Sequence, residues 1–470
     1  GKTGVFDFFN RVSPDSYRTR VLTSGEIRRA RPYWDYLSEA GVRVGVVNYP
    51  RLYPPYPING IMVSGLGSST EDDICYPKEF KQTLLGSCPG YRIHIPWNEP
   101  HYAADPSLFV RDILALLEVN HRTLELLFRQ DLEVITFVIS AIDFAQHYMW
   151  RYIDPTHPHY QPAEAGEYGE AFAQIWERVD AILGSALEAA GGGAHLLVVS
   201  DHGFGPRRSS FYTNTWLERE GYLRRRRALI QLGKVQSAVA RVVRRGWPRL
   251  YRKLEEAVNL GKLSMLPVKA EVDYQRSVAF APVDGSMGGI YLNTHALLGR
   301  RGHPGAAQLR QEIVEKLAEA CRSQGLAVRF HLPLETYRGP HVDMAPDILF
   351  EIDDFECEAD ARLGKETFQI PPPDAHYGGI HKRDGIFIAC GPDIQPGVEV
   401  AGATICDVAP TLLHLMGHPV PDDMDGRVLK EVFRQDSPTA RRPVTSLSSD
   451  LTRLRERARK LRAELDAPRQ

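Results

Sequence analysis

The feature that most constrains the fold is an alternation of short apolar, β-branched runs with longer segments of helical period. The runs are bounded by Gly, Pro or Asn and predict strands buried on both faces: residues 42–47, 61–63, 134–139, 195–199, 348–352 and 386–389. The helical segments cover residues 107–130, 163–190, 305–323 and 407–416, the last opened by an acidic cap. This order predicts an α/β fold with a mostly parallel sheet, helices on both faces and ligands at the carboxyl ends of the strands.

Length and composition limit the function classes that fit. At 470 residues the chain exceeds the usual single-core limit of about 250–300 residues, which predicts insertions or a second domain. A net charge of −2 with 25% charged residues names no polyanionic or polycationic partner, and no nucleic acid is expected. The six cysteines include no Cys-x-x-Cys pair, which excludes a thiolate zinc site of that spacing. The compartment stays open, since residue 1 is Gly rather than Met.

Residues 205–272 interrupt the alternation and are predicted to form a basic helical cap on a body made of residues 1–204 and 273–435. Between Gly221 and Leu254 the chain has eleven Lys or Arg and no Asp or Glu. Such a cluster attracts phosphate-bearing molecules or anionic lipid surfaces, and the alternative is a solvated helical face with acidic partners elsewhere.

The last segment, residues 436–470, is predicted to be a linker followed by an amphipathic helix. Leucine and alanine recur at alternating steps of four and three from Leu447 to Leu465, with charges between them. This a/d stripe fits docking on the body as well as dimerisation.

Acidic and imidazole side chains follow two of the predicted strands, where ligands are expected. Asp143 and His147 come after the run 134–139 and share one face of any helix that starts there. Asp201 and His202 follow the run 195–199 directly, and the glycines after them permit an irregular backbone. Carboxylate oxygen and imidazole nitrogen together suit a zinc-like cation.

A third position is His381, which follows two glycines just before the run 386–389. Glycine lets such a loop approach a metal or substrate closely. His376 competes for the same role. Two of the three motifs also have a simpler interpretation: an acidic helix N-terminus with a chance histidine for Asp143 and His147, and a surface-loop histidine for His381.

Taken in order, strand-Asp-x-x-x-His, strand-Ser-Asp-His-Gly and a late Gly-x-His resemble the metal-binding set of the type I phosphodiesterase/nucleotide pyrophosphatase branch of the alkaline phosphatase superfamily. Further segments are similar to predicted phosphohydrolases of that superfamily, so the resemblance runs from residue 1 to about residue 430: residues 2–8, 53–55, 59–65, 345–347, 407–411 and 421–426.

The resemblance implies a three-layer alkaline phosphatase-like fold and a metal-dependent phosphoric ester hydrolase acting on a small-molecule phosphate ester. It implies two divalent ions, zinc with manganese as the alternative. Asp143, His147 and His381 would hold one ion, and Asp201 and His202 the other. The nitrogen-rich first set favours zinc.

The chain departs from the family pattern at its start. The nucleophilic Thr or Ser and a further Asp ligand are expected upstream of Gly1, so the resemblance predicts an N-terminally truncated sequence. Rival readings are a sulfatase or phosphoglycerate-mutase-like member of the superfamily, and a catalytically inactive metal-binding relative. The start, Gly-Lys-Thr, could also end a phosphate-binding loop, which would require a helix after Thr3.

Overall fold

The computed structural model describes residues 1–13, 19–97, 99–226, 272–282, 284–293, 304–364, 366–373 and 377–448. His376 lies outside these residues, so the choice between His376 and His381 as a ligand stays a prediction. Within the described part, no helix combines the length and the apolar character that a membrane crossing needs.

The strands are short. In chain order they are β1 (Phe9–Arg11), β2 (Thr19–Val21), β3 (Val44–Tyr49), β4 (Gly60–Ser64), β5 (Cys75–Tyr76), β6 (Val134–Phe137), β7 (Leu196–Val199), β8 (Gly203–Pro206), β9 (Ser209–Tyr212), β10 (Ala279–Phe280), β11 (Gly288–Leu292), β12 (Val328–His331), β13 (Ile348–Ile352), β14 (Cys357–Asp360), β15 (Phe368–Gln369), β16 (Gly379–Lys382), β17 (Phe387–Cys390), β18 (Val420–Pro421) and β19 (Ser446–Leu447).

The α-helices vary more in length. They are α1 (Ser24–Ile27), α2 (Tyr33–Glu39), α3 (Phe80–Ser87), α4 (Pro100–Ala104), α5 (Pro106–Phe128), α6 (Ala141–Ile153), α7 (Pro162–Ala190), α8 (Thr213–Arg219), α9 (Pro304–Ser323), α10 (Pro333–Thr336), α11 (Val408–Leu415) and α12 (Pro438–Arg441). Short 3-10 turns cover Gly191–Gly193, Val342–Met344, Ile405–Asp407 and Lys430–Val432.

The chain divides into two compact units, each discontinuous in sequence. The first unit contains Gly1–Arg29, Gln146–Gly169 and Phe204–Lys382. The second unit contains Ala30–Ala145, Glu170–Gly203 and Arg383–Gln470.

The second unit has the parallel pairing that the strand and helix alternation predicts. Its four-stranded sheet has the order β5-β4-β3-β6, with β3 parallel to both β4 and β6 and with β5 antiparallel to β4. Residues 44–48 of the central strand β3 are buried, as expected for an apolar strand covered on both faces. β7 pairs with β17 in a separate antiparallel ladder.

The first unit differs from the predicted single, mostly parallel sheet. Its seven-stranded sheet has the order β10-β11-β13-β14-β9-β15, with β12 beside β13, and within this sheet only β9 and β14 pair in parallel. The connection from β13 to β14 spans just four residues. A parallel crossover needs a dozen or more residues, so a link this short forces an antiparallel neighbour. The α/β class is therefore confirmed, whereas the predicted pairing holds for one of the sheets.

Burial on both faces is confirmed for β3 and β13 but was wrong for β6, β7 and β17, whose residues are partly exposed. On β17, Ile388 keeps 56% of its surface exposed. In the described residues β6 pairs only with β3, and β7 only with β17. Strands with a single pairing partner are covered less than a central strand.

The division into two compact units leaves the predicted domain boundaries as predictions. The start of the predicted cap, after residue 204, lies within one residue of the division at Gly203 and Phe204. Its predicted end at residue 272 is not a division, because the first unit continues to Lys382. Residues 205–226 are not purely helical either, since β9 pairs with β14 and β15. The rest of the predicted cap, 227–271, lies outside the described residues.

The first residue of the predicted C-terminal amphipathic helix lies on a strand. Leu447, the first residue of the predicted stripe, belongs to β19 and pairs with Pro421 of β18. Residues 449–470, which carry the rest of the stripe, lie outside the described residues.

Candidate metal centre

Helix α6 places Asp143 and His147 one turn apart, as their spacing predicts. The helix begins at Ala141, four residues after β6 ends, and buries Phe144, Ala145 and Tyr148. The packing of this apolar face therefore fixes the backbone positions of Asp143 and His147. Asp143 belongs to the second unit and His147 to the first.

In the first unit, His147 and His381 form an imidazole pair. Their Nε2 atoms lie 3.0 Å apart. The Nδ1 atom of His147 lies 2.9 Å from the carbonyl oxygen of Gly379. Because a carbonyl only accepts hydrogen bonds, Nδ1 is the protonated nitrogen and Nε2 presents its lone pair towards His381.

The separation within the imidazole pair suits two ligands of one cation. Nitrogen atoms at this distance must share a proton or a cation, since two lone pairs that face each other repel. Zinc–nitrogen bonds of about 2.0–2.1 Å at a tetrahedral angle place two ligand nitrogens roughly 3.3 Å apart, close to the observed 3.0 Å. A metal-bound histidine also normally donates its other N–H to a carbonyl or carboxylate, as His147 does.

Aromatic rings hold the imidazole pair in place. Tyr377 stacks on His147 with ring centroids 4.7 Å apart and planes 20° apart. Phe204 meets His147 and His381 edge-on at 4.8 and 5.1 Å. On Tyr377 the guanidinium of Arg207 lies 4.9 Å from the ring centroid. His147 is only 5% exposed, so these rings fix its orientation as well as cover it.

Arg207 is itself buried and charged, with 1% of its surface exposed. It forms an ion pair of 2.6 Å with Glu358. Burial raises the pKa of Glu358, and the Arg207 charge opposes that shift. The backbone N–H of Arg207 also donates to the carbonyl of Gly378 at 2.8 Å. Arg207 thus connects the ring stack with the backbone before His381.

The glycines before His381 serve close packing on α6, which differs from the loop approach to a ligand that the sequence suggested. A Cβ atom at Gly379 would lie 2.2 Å from the carbonyl oxygen of Gln146. Only glycine fits there, and this approach lets the Gly379 carbonyl reach His147. His157, on the loop after α6, donates from Nε2 to the Gly378 carbonyl at 3.0 Å.

In the second unit, Asp143, Asp201 and His202 form what we name the Asp–His trio. The Nε2 atom of His202 lies 3.8 Å from an oxygen of Asp143 and 3.6 Å from an oxygen of Asp201. The Nδ1 atom of His202 lies 3.1 Å from the Gly203 carbonyl oxygen. His202, like His147, is therefore held through Nδ1, and its Nε2 atom faces the carboxylates. The side chain of Asp201 is 80% exposed.

The residues around Asp201 explain its position. Ser200 accepts a hydrogen bond from the Ile386 N–H at 2.8 Å, so the serine of Ser-Asp-His joins β7 to the start of β17. Tyr49, at the end of β3, has its pKa raised by burial and by the Asp201 charge. The glycine-permitted irregular backbone is not needed here, since neither Gly203 nor Gly205 has a positive φ.

Sequence reasoning did not find Tyr377, Phe204 or Arg207. The signal available for Phe204 was its position directly after Ser-Asp-His-Gly, and Tyr377 directly precedes the two glycines before His381. Nothing local marks Arg207, because its partners Tyr377 and Glu358 are far away in the sequence.

Comparison with known protein families settles the kind of protein in which these groups lie. Residues 1–275 match the family described as type I phosphodiesterase / nucleotide pyrophosphatase. The chain belongs to this family. Its members fall in the alkaline phosphatase superfamily, so the predicted resemblance is confirmed and the chain is assigned to a family of hydrolases.

The matched part of this phosphodiesterase-family chain includes Asp143, His147, Asp201 and His202, whereas His381 lies beyond it. None of the curated proteins compared with the chain matches it. The phosphate-binding-loop alternative fails in the described N-terminus, because no helix follows Thr3 within residues 4–13. Thr3 instead accepts a hydrogen bond from the Val5 N–H at 3.1 Å.

Proposed function

We propose that this phosphodiesterase-family protein hydrolyses phosphoric diesters or pyrophosphates with two bound divalent cations. Zinc is the proposed metal, and manganese is the alternative. The observation that carries the proposal is the imidazole pair, in which the Nε2 atoms of His147 and His381 lie 3.0 Å apart while Gly379 holds the other nitrogen of His147. The donor set of imidazole nitrogen and carboxylate oxygen favours zinc.

The proposed ligand sets follow the family resemblance. Asp143, His147 and His381 hold one cation, and Asp201 and His202 contribute to the other. A three-layer arrangement around the parallel strands β4, β3 and β6 is part of the same proposal. Support comes from the geometry of the imidazole pair and from that of the Asp–His trio.

Bound divalent ions would supply positive charge for the oxygens around phosphorus and lower the pKa of a bound hydroxyl. The protein's own contribution is positioning. His147 and His202 each fix one ring nitrogen on a backbone carbonyl, so the other nitrogen keeps its lone pair and direction. Tyr377 and Phe204 keep water from the His147 ring faces, which strengthens electrostatic interactions there.

The proposal is tested by metal analysis and by substrate choice. After dialysis against zinc, we expect two zinc ions per chain, and we expect His381→Ala to lower that content. Hydrolysis of bis-p-nitrophenyl phosphate should exceed that of p-nitrophenyl sulfate, which separates a phosphodiesterase from a sulfatase.

A chain that binds no zinc or manganese would refute the proposal. Zinc binding without hydrolysis of any phosphodiester, by a protein that includes the nucleophilic Thr or Ser expected upstream of Gly1, would instead leave the inactive metal-binding relative as the correct description and would refute the catalytic half. Measuring metal content and turnover on the same sample keeps the two results separate.

A further inference from the structure

Four arginines line a cavity of about 500 Å³ in the first unit: Arg224, Arg225, Arg226 and Arg276, with Asp273 as the only acidic residue among the described residues that line it. None of them belongs to the imidazole pair or the Asp–His trio. Cavities that take small molecules are typically about 300–1,000 Å³, so this one has room for a ligand with several phosphate groups.

The backbone beneath these arginines is held firmly. The backbones of Arg225 and Val272, which lie on two separate chain segments, form an antiparallel β-bridge. The Asp273 N–H donates to the Arg224 carbonyl at 2.7 Å, and the Arg224 N–H donates to the hydroxyl of buried Ser277 at 2.9 Å. The guanidinium groups therefore project from a fixed base, which limits the ordering that a bound ligand would require.

The positive charge at this cavity is only partly compensated. Glu218 pairs with Arg225 at 3.0 Å. The carboxylate of Asp273 lies 3.9 Å from Arg276 and also accepts the Gln275 N–H. Within the described residues, Arg224 and Arg226 form no ion pair, which leaves two guanidinium groups available to an anion.

The surrounding sequence adds charge of the same sign. Residues 224–276 hold fourteen Lys or Arg and four Asp or Glu, a net charge of +10, whereas the rest of the chain has a net charge of −12. The part of this segment that lies outside the described residues, 227–271, has ten Lys or Arg and three Asp or Glu. Its basic residues outnumber its acidic ones, so by composition it adds net positive charge that strengthens the attraction for an anion.

From the cavity and its charge, we infer that Arg224, Arg225, Arg226 and Arg276 form a binding site for a ligand that carries two or more phosphate groups. Arginine binds phosphate through paired N–H donors, and several such forks around one cavity select a polyanion over a single phosphate. The ligand is either a soluble polyphosphate compound or the phosphate headgroup of a lipid, and the experiment separates the two. The site acts without the metal cations.

The test uses the full chain stripped of metal with a chelating resin. Inorganic tripolyphosphate is titrated by calorimetry into wild type, R224Q/R226Q and R224K/R226K. We expect one saturable site and an affinity at least about tenfold lower in R224Q/R226Q, since each hydrogen bond to a charged group contributes substantially. R224K/R226K should lie between, because lysine keeps the charge and loses the fork.

The matched control is R111Q/R122Q, which removes two exposed arginine charges from α5 in the second unit. It should bind tripolyphosphate as wild type does. Thermal unfolding of each variant verifies that it is folded. Equal binding by wild type and R224Q/R226Q, an equal loss in the control, or no binding at all would each overturn the inference.

Vesicles of phosphatidylcholine with phosphatidylinositol bisphosphate, a lipid whose headgroup carries more than one phosphate, identify the source of the phosphate. Vesicle binding that R224Q/R226Q loses and tripolyphosphate displaces indicates a lipid headgroup. Tripolyphosphate binding without vesicle binding indicates a soluble ligand. Vesicle binding without tripolyphosphate binding would overturn the site, because a site that recognises phosphate groups must also bind them free of lipid.

Discussion

The imidazole pair and the Asp–His trio offer similar ligand atoms but are built in different ways. His147 is almost fully buried between Tyr377 and Phe204, and one of its nitrogens is fixed by a backbone carbonyl. In the trio, His202 has the same kind of backbone anchor, yet the side chain of Asp201 is 80% exposed.

The difference teaches where binding energy should come from. An exposed carboxylate must lose rotamer freedom and water when it binds a cation, whereas a packed imidazole has already lost both during folding. We therefore expect the imidazole pair to dominate metal affinity and the trio to contribute less per ligand.

The largest effect is expected for the buried Arg207 behind Tyr377. Arg207→Ala leaves Glu358 buried without this partner, and breaking a buried ion pair typically costs about 3–5 kcal/mol. Urea unfolding of the metal-free protein measures the change. The control is Arg322→Ala, which removes an exposed pair with Glu319 on α9 and should cost less than about 1 kcal/mol. An equal loss of unfolding free energy in both variants would show that the buried Arg207–Glu358 ion pair does not stabilise the fold.

A second effect concerns pH and His157, which holds the Gly378 carbonyl next to the imidazole pair. Burial lowers the pKa of His157 from 6.5 to about 4. Its Nδ1 accepts the His159 N–H at 3.1 Å, which also requires the neutral ring. The unfolded chain binds a proton near pH 6.5 and the folded chain only near pH 4, so the free energy of unfolding falls as the pH drops through this window.

Protonation of His157 should lower the free energy of unfolding by roughly 3 kcal/mol in all, because each unit of its pKa shift corresponds to about 1.4 kcal/mol. Unfolding is measured from pH 7 to pH 4 in wild type and in His157→Gln, whose amide can donate to the same carbonyl but does not titrate. The variant should have the shallower pH dependence. Parallel curves would mean that His157 is not held neutral.

The third prediction compares the two ligand groups directly. His381→Ala should lower zinc affinity at least about 100-fold, more than the loss of a typical supporting contact, whereas Asp201→Asn should lower it only about tenfold. Competition with a chromogenic chelator measures both. His159→Ala, which removes another imidazole of the first unit, serves as the control and should leave zinc affinity unchanged. A loss in Asp201→Asn as large as in His381→Ala would break the comparison.

The sequence predicts the parts of these groups that depend on local order. Asp143 and His147 follow helical spacing, and α6 confirms it. The predicted strands around them are also present, since β3, β4, β6 and β7 overlap the apolar runs. Local periodicity is sufficient for such elements because each depends on residues a few positions apart.

Contacts between distant segments could not be predicted in this way. Tyr377 and His147 are 230 positions apart in the sequence, and the two glycines before His381 are required by the backbone of α6 rather than by a ligand. The pairing direction in the first unit depends on the length of the β13 to β14 link, which apolar patterning does not reveal. Local patterning thus predicts where candidate ligands lie in the chain but not which distant residues hold them.

The smallest effect is expected for Tyr377, whose ring stacks on His147 at 4.7 Å. Tyr377→Ala frees one face of the imidazole, so His147 must be ordered when the cation binds, and zinc affinity should fall about tenfold, as for other supporting contacts. Tyr377→Phe keeps the stacked ring and should bind zinc as wild type does.

The matched control for Tyr377→Ala is Tyr337→Ala, which removes a ring that packs edge-on against Phe6 in the same unit. This variant should lower the free energy of unfolding but not the zinc affinity. If both alanine variants weaken zinc binding equally, the effect is general destabilisation and the stacked ring has no part in ordering His147. If only Tyr377→Ala does so, the greater affinity of the imidazole pair comes from its packing as well as from its nitrogen atoms.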